Sequence, residues 1–190
     1  MKKTLISFLS FTLLLFSLYG FTKPVMKPSI SSKVAGYGNL RDILRSFDPS
    51  ILQGDDSEAS TNLIASKNSE IIEYAVANYP ELHAEELNPN DSTVALYGML
   101  LSLAEETEFQ NLSEEQLEEM RANPDYLGCL TSTVAGLIGI KDIKAILADF
   151  SSGVSATTIV GTLKTMLRRV AWGWTIGITI FQFGDCIGWW

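Results

Sequence analysis

The fold class is decided by residues 134–150, whose sequence is VAGLIGIKDIKAILADF. Residues 134–140 are uncharged and apolar, and the part that follows repeats apolar residues at the spacing of one helical face. That face consists of Ile143, Ile146, Leu147 and Phe150. Lys141, Lys144 and Asp149 lie opposite it. The stretch therefore predicts one continuous amphipathic helical face that packs against other helices.

The next segment keeps the helical period. Ser155 is a suitable N-cap, and cations follow in the last turn, where the helix dipole favours them. The apolar positions are Ile159, Val160, Leu163, Met166, Leu167 and Val170. The polar edge carries Lys164, Arg168 and Arg169.

Residues 170–184 carry no charge and include Trp172 and Trp174. Ile176, Ile178 and Ile180 alternate with glycine and threonine, so a strand competes with a helix for residues 174–182. We favour a helix, which agrees with the neighbouring segments.

The C-terminal residues 170–190 have one charge, Asp185, and are long enough to span a bilayer. In a span, Trp189 and Trp190 would lie at one interface and Arg168 and Arg169 at the other. Two alternatives stay open, because the charge, a cysteine and four glycines interrupt the segment. It is either the buried centre of a small helical bundle or a surface that binds anionic lipid through its tryptophans and the cationic edge with Lys164.

The chain has two cysteines, Cys129 and Cys186, which enclose the whole apolar half. In an oxidising compartment they predict one structural disulfide. Closing a loop of this size stabilises the fold by about 4 kcal/mol on the chain-entropy model.

The N-terminus predicts export. Lys2 and Lys3 precede an uncharged, Leu- and Phe-rich run over residues 5–19, as in a signal peptide of residues 1–20 cleaved after Gly20. An uncleaved signal anchor is the alternative, and in either case the body of the chain is expected to be exported, secreted or periplasmic. Residues 21–38 contain two prolines, two glycines and several serines, which predicts a flexible extended segment.

Residues 39–128 form an acidic region with several amphipathic helical patterns. Ser113 and Gln116 make a capping box for a helix that ends near Ala122, and Pro80 ends an earlier helix. Residues 21–128 contain 7 basic and 19 acidic residues, whereas residues 129–190 contain 5 basic and 3 acidic. This change near residue 128 predicts a boundary between an acidic helical region, interpreted as a pro-region, and an apolar, Gly- and Trp-rich helical domain at 129–190.

The composition disfavours most chemistry. The net charge of −8 is unfavourable for binding nucleic acid. His83 is the one histidine, and it has no cysteine near it in sequence and no metal-ligand spacing, so an exposed helical histidine is the expectation. Glu114, Glu115 and their neighbours predict solvated helix faces that are able to bind a protein partner. We therefore expect a protein that is not an enzyme and uses no cofactor or metal.

An export signal, an acidic leader and a cationic, Gly- and Trp-rich helical end of about 60 residues together resemble precursors of helical bacteriocins and pore-forming peptides. The resemblance covers residues 129–190 by layout and composition, and no double-glycine leader end precedes Cys129. It implies a membrane-interacting C-terminal region that the acidic leader neutralises. The alternative is a periplasmic helical interaction module with the C-terminal half as its buried core.

Overall fold

The computed structural model describes residues 40–53, 57–106, 113–167 and 173–190. Every regular element within these ranges is helical, which confirms the all-α prediction. The predicted signal peptide and the segment 21–38 lie outside the described residues.

Within the described residues that precede Tyr126 there are five α-helices. They are α1 (Leu40–Arg45), α2 (Pro49–Gln53), α3 (Ser57–Asn78), α4 (Thr93–Glu106) and α5 (Glu114–Arg121). Two 3-10 turns, Pro80–Leu82 and Ala84–Glu86, connect α3 to α4. Pro80 follows the end of α3, as predicted. His83 is exposed, but it lies between the two turns at a φ of 48° and is not helical, which corrects that part of the expectation.

The predicted capping box is present at α5. The Ser113 hydroxyl accepts the backbone N–H of Gln116 at 3.2 Å, and the Gln116 side chain accepts the backbone N–H of Ser113 at 2.8 Å. The helix ends at Arg121, and Ala122 is its C-cap.

The C-terminal half contains α6 (Tyr126–Ile138), α7 (Ile140–Ser151), α8 (Ala156–Leu167) and α9 (Gly173–Cys186). The single helical face predicted over residues 134–150 is wrong, because Gly139 adopts a φ of 84° and separates α6 from α7. Glycine reaches this conformation without the steric penalty that other residues meet. The strand alternative for residues 174–182 is also wrong, since they lie within α9.

One hydrophobic core unites the two regions. It extends from Leu40 in α1 to Phe183 in α9, and α4 lies at its centre. Residues 93–103 of α4 are all buried, and this helix packs against α1, α3, α6, α7, α8 and α9. The change of composition near residue 128 falls inside α6, so the acidic helices and the apolar helices share their core.

Helix lengths also bear on the membrane alternatives. Among the helices described, none combines the length and the apolar character that a bilayer span requires. Residues 170–172 of the window considered for such a span, and Arg168 and Arg169 beside it, lie outside the described ranges.

Candidate functional site

A disulfide joins Cys129 to Cys186, as the sequence predicts, with a Cα–Cα distance of 5.8 Å. Cys129 lies in the first turns of α6 and is buried, whereas Cys186 ends α9 and is exposed. The bond therefore ties the first helix of the C-terminal half to its last helix, and the loop it closes includes α7 and α8.

Two of the four predicted membrane anchors pack inside an aromatic cluster, which we call the aromatic cap. Its members are Tyr126, Phe181, Phe183, Trp189 and Trp190. The Trp189 ring lies 5.2 Å from that of Phe183 and 6.3 Å from that of Tyr126, and the Trp190 ring stacks on Phe181 at 6.3 Å. Trp189 and Trp190 are both partly buried.

Two glycines allow the chain to turn back onto the cap. Gly188 has a φ of 69°, and the backbone N–H of Trp189 bonds to the carbonyl of Gly184 at 2.9 Å, which is the Schellman arrangement of a helix end. A Cβ on Gly184 would lie 1.9 Å from the Trp190 ring. The indole therefore lies directly on the α9 backbone, and its buried Nε1 has no hydrogen-bond partner within the described ranges.

The acidic region contacts the aromatic cap at the ring and at the hydroxyl of Tyr126. The Arg41 guanidinium of α1 lies 4.3 Å from the centre of the Tyr126 ring, and the Tyr126 hydroxyl is 2.6 Å from the Ser102 hydroxyl of α4. A cation over an aromatic face and a partly buried hydroxyl pair that is hydrogen-bonded are both stabilising. These contacts connect α1 and α4 to the first turn of α6.

The predicted cationic edge is partly described. Lys164 of α8 forms an ion pair with Asp91, which precedes α4. Asp91 also accepts the backbone N–H of Thr93 at 3.1 Å, and the Asn68 side chain of α3 donates to the backbone carbonyl of Asp91 at 2.9 Å. Lys164 is therefore held against the acidic region. Arg168, Arg169 and Trp172 lie outside the described residues, and the side chain of Trp174 is likewise not described.

The apolar faces of the C-terminal helices point into the core. Ile159 and Leu163 of α8 and Ile180 and Phe183 of α9 are fully buried. Of the large apolar side chains in the described ranges, only Val76 of α3 is exposed, at 38%. Among the described residues of α8 and α9, the folded chain thus covers the apolar helix faces.

A polar cluster surrounds Glu105 near the end of α4. The Tyr79 hydroxyl donates to Glu105 Oε1 at 2.7 Å. Burial, followed by the charge of Glu105, raises the pKa of Tyr74 and of Tyr79 above its ordinary value, and burial likewise raises that of Tyr97. Sequence reasoning missed this cluster, because no local spacing relates residue 79 to residue 105.

The exposed acidic surface includes α5, whose Glu114, Glu115, Glu118 and Glu119 all face solvent. Only Leu117 of this helix is fully buried. His83 lies 3.6 Å from Glu85, and both side chains are exposed. Within the part of the chain that is described, no three His, Cys, Asp or Glu side chains are grouped as metal ligands.

Comparison with known proteins found no relative of this chain. No protein-family model matches this chain, no curated protein matches its sequence, and no solved structure matches it.

Proposed function

We propose that this protein is an exported, non-enzymatic precursor whose disulfide-closed C-terminal region interacts with membranes once the acidic helical region no longer covers it. The membrane-interacting residues in this proposal are those of the cationic edge, Lys164, Arg168 and Arg169, and the four tryptophans at 172, 174, 189 and 190. Association with lipid would use residues 170–190.

The observation that carries the proposal is the position of α4. This helix belongs to the acidic region, yet its residues 93–103 are buried among the helices of the disulfide-closed region. Removing α4 would expose the apolar faces of α6, α7, α8 and α9 at once. Exposed apolar surface that extends over four helices would bind either another protein or a membrane.

The ion pair between Lys164 and Asp91 supports the same proposal. A lysine that is to bind anionic lipid is paired with a carboxylate of the acidic region in the folded chain. Release of that region would therefore uncover the cation together with the apolar faces, and these are the two elements that an interfacial helix uses.

A different function is favoured by the continuity of the core. Because α1, α3 and α4 share one core with α6 to α9, the chain also fits a stable periplasmic interaction module that binds a basic protein partner through its acidic helices. In that case the C-terminal half is only structural and the chain acts without release of any part.

Dye release from vesicles distinguishes the two functions. We compare the oxidised full chain with the oxidised fragment 122–190, which keeps the Asp125 N-cap and all of α6. The proposal predicts leakage from anionic vesicles by the fragment and little leakage by the full chain. A fragment that is helical and disulfide-bonded but neither binds vesicles nor causes leakage contradicts the proposal and favours the module.

A matched variant tests whether the cationic edge contributes to vesicle binding. In the fragment, replacement of Lys164, Arg168 and Arg169 by Gln removes the cationic edge and leaves the apolar faces unchanged. Since each basic residue near an anionic surface contributes about 1 kcal/mol, vesicle binding should weaken by about a hundredfold. Neutral vesicles, on which both fragments should bind equally, serve as the control.

A further inference from the structure

The bond that follows residue 128, where the composition changes, is protected in the fold. Gly128 and Cys129 are buried in the first turn of α6, and the N–H of Gly128 donates to the Asp125 carboxylate at 2.7 Å. A Cβ on Gly128 would lie 1.6 Å from the Asn123 carbonyl oxygen, so the chain is closely packed here. A protease needs an extended and accessible segment, which residues 126–130 do not provide.

The segment just before α6, residues 121–125, is accessible to solvent. Every residue from 121 to 125 is exposed, and α5 before it is fixed to the core by buried Leu117 and partly buried Met120. A helix of eight residues with one fully buried side chain opens locally at low free energy. Opening of α5 would turn the connection between α5 and α6 into an extended substrate.

Arg121 places one exposed cationic side chain in this segment. It is the only Lys or Arg between Lys67 and Lys141. Among the described residues its guanidinium forms one weak ion pair, 3.5 Å from Glu118, and both side chains are about half exposed. Proteases that bind a cationic side chain in their specificity pocket would therefore find one accessible position in this part of the chain.

From these contacts we infer that the processing site of the folded chain is the bond between Arg121 and Ala122, and that it is cut by a protease specific for basic residues. Hydrolysis of this bond consumes one water and leaves a carboxylate on Arg121 and a new amino terminus on Ala122. The inference takes its biological meaning from the proposed function. It moves the cut from the compositional boundary to the end of α5.

A second consequence concerns the nicked chain. Residues 122–190 retain α6 to α9 and the disulfide, and α4 stays buried among them after the cut. The two pieces therefore remain associated through the core. Cleavage then removes only the covalent connection, and the acidic piece continues to cover the apolar faces until the two pieces are separated.

Limited digestion of the oxidised full chain with trypsin tests the inference. We expect the amino terminus at Ala122, identified by mass spectrometry after denaturation and reduction, to appear at least tenfold faster than termini that follow Lys141 or Lys144. These two lysines are also exposed, but they belong to α7, which five buried residues fix to the core. Faster cutting at either of them, or resistance of Arg121, overturns the inference.

Two variants keep this test specific. Arg121→Gln should abolish the Ala122 terminus and leave the cuts in α7 unchanged. Leu117→Ala should loosen α5 and accelerate the cut at Arg121 at least tenfold, again without changing cuts in α7. If Leu117→Ala accelerates all three cuts equally, the chain opens globally and the site at α5 is not a local one, which contradicts the inference.

Size-exclusion chromatography of the nicked chain tests the association. One species that contains both pieces is expected in buffer, and separate elution of the pieces contradicts their association. Because no vesicle is present, these results are independent of the proposed function. A chain that is cut at Arg121 but yields an inert fragment would retain the site and refute the membrane role.

Discussion

Two glycines on α6 differ in what surrounds them. Gly128 has no room for a Cβ, because the Asn123 carbonyl oxygen would lie 1.6 Å from it, whereas Gly136 has no neighbouring atom within 4 Å. At Gly128 the obstacle is backbone, which cannot rotate away as a side chain does. The junction between α5 and α6 therefore depends on the absence of a side chain at this residue.

The first prediction contrasts these positions. Gly128→Ala should lower the free energy of unfolding by about 1–3 kcal/mol through overpacking. Gly136→Ala should raise it by about 0.5–1 kcal/mol, because alanine is the better helix former and meets nothing. Urea denaturation monitored by circular dichroism measures both. Equal stability of the two variants would contradict the packing at Gly128.

The second prediction concerns the tyrosines around Glu105. The folded-state pKa of Tyr74, Tyr79 and Tyr97 is raised above the ordinary value of 10.0, so these phenols hold their protons longer in the folded chain than in the unfolded chain. Their contribution to stability is fully present below pH 10 and is lost as pH rises above it.

Alkaline titration checks this prediction. Stability should fall steeply above about pH 10, and the phenolate absorbance of these three tyrosines should appear together with the loss of helical signal. Tyr79→Phe, which keeps the ring and removes one ionisable group, should make the fall less steep. Phenolate formation by all the tyrosines near pH 10 with the fold intact would contradict it.

At the scale of elements, the helices whose signals are local were predictable. The capping box at α5, the stop at Pro80 and the apolar faces of α7 and α8 are encoded within a few residues of each helix. The break at Gly139 was not predictable, because an apolar run with glycines permits either a continuous helix or a turn. Contacts between distant elements, such as Tyr79 with Glu105, leave no local pattern.

The third prediction concerns the connection between α8 and the residues before α4. In a double-mutant cycle of Lys164→Gln and Asp91→Asn, the ion pair should show a coupling free energy of about 0.5–1 kcal/mol, which salt should reduce. Chemical denaturation at low and high ionic strength measures it. A coupling of zero at low salt would mean that the pair does not hold the two regions together.

The fourth prediction concerns the disulfide between α6 and α9. Replacing both cysteines by serine should lower the free energy of unfolding by about 2–4 kcal/mol, because the unfolded chain loses the constraint on a long loop. Thermal denaturation of the variant and of the oxidised chain under the same conditions compares them. An unchanged melting temperature would show that the bond contributes nothing to the fold.

At the scale of the whole molecule, the sequence indicated two regions and the structure joins them. Composition changes near residue 128, but α4 of the acidic region is the central helix of the core. Residues 92–104 carry no charge, so the sequence held a signal for a helix buried on every side, and its interpretation as one of several amphipathic helices missed this signal. Trp189 and Trp190, selected as membrane anchors, are packed in the aromatic cap of the folded chain.

The central claim is that the acidic region covers the membrane-interacting surface through α4. Adding the fragment 21–121 to the oxidised fragment 122–190 tests it most directly, with dye release from anionic vesicles as the measurement. The account predicts that an equimolar amount of 21–121 suppresses leakage, and that the same fragment with Leu96→Asp and Leu100→Asp, which disrupt the buried face of α4, does not. Leakage that continues undiminished in the presence of the unmodified acidic fragment would contradict the account.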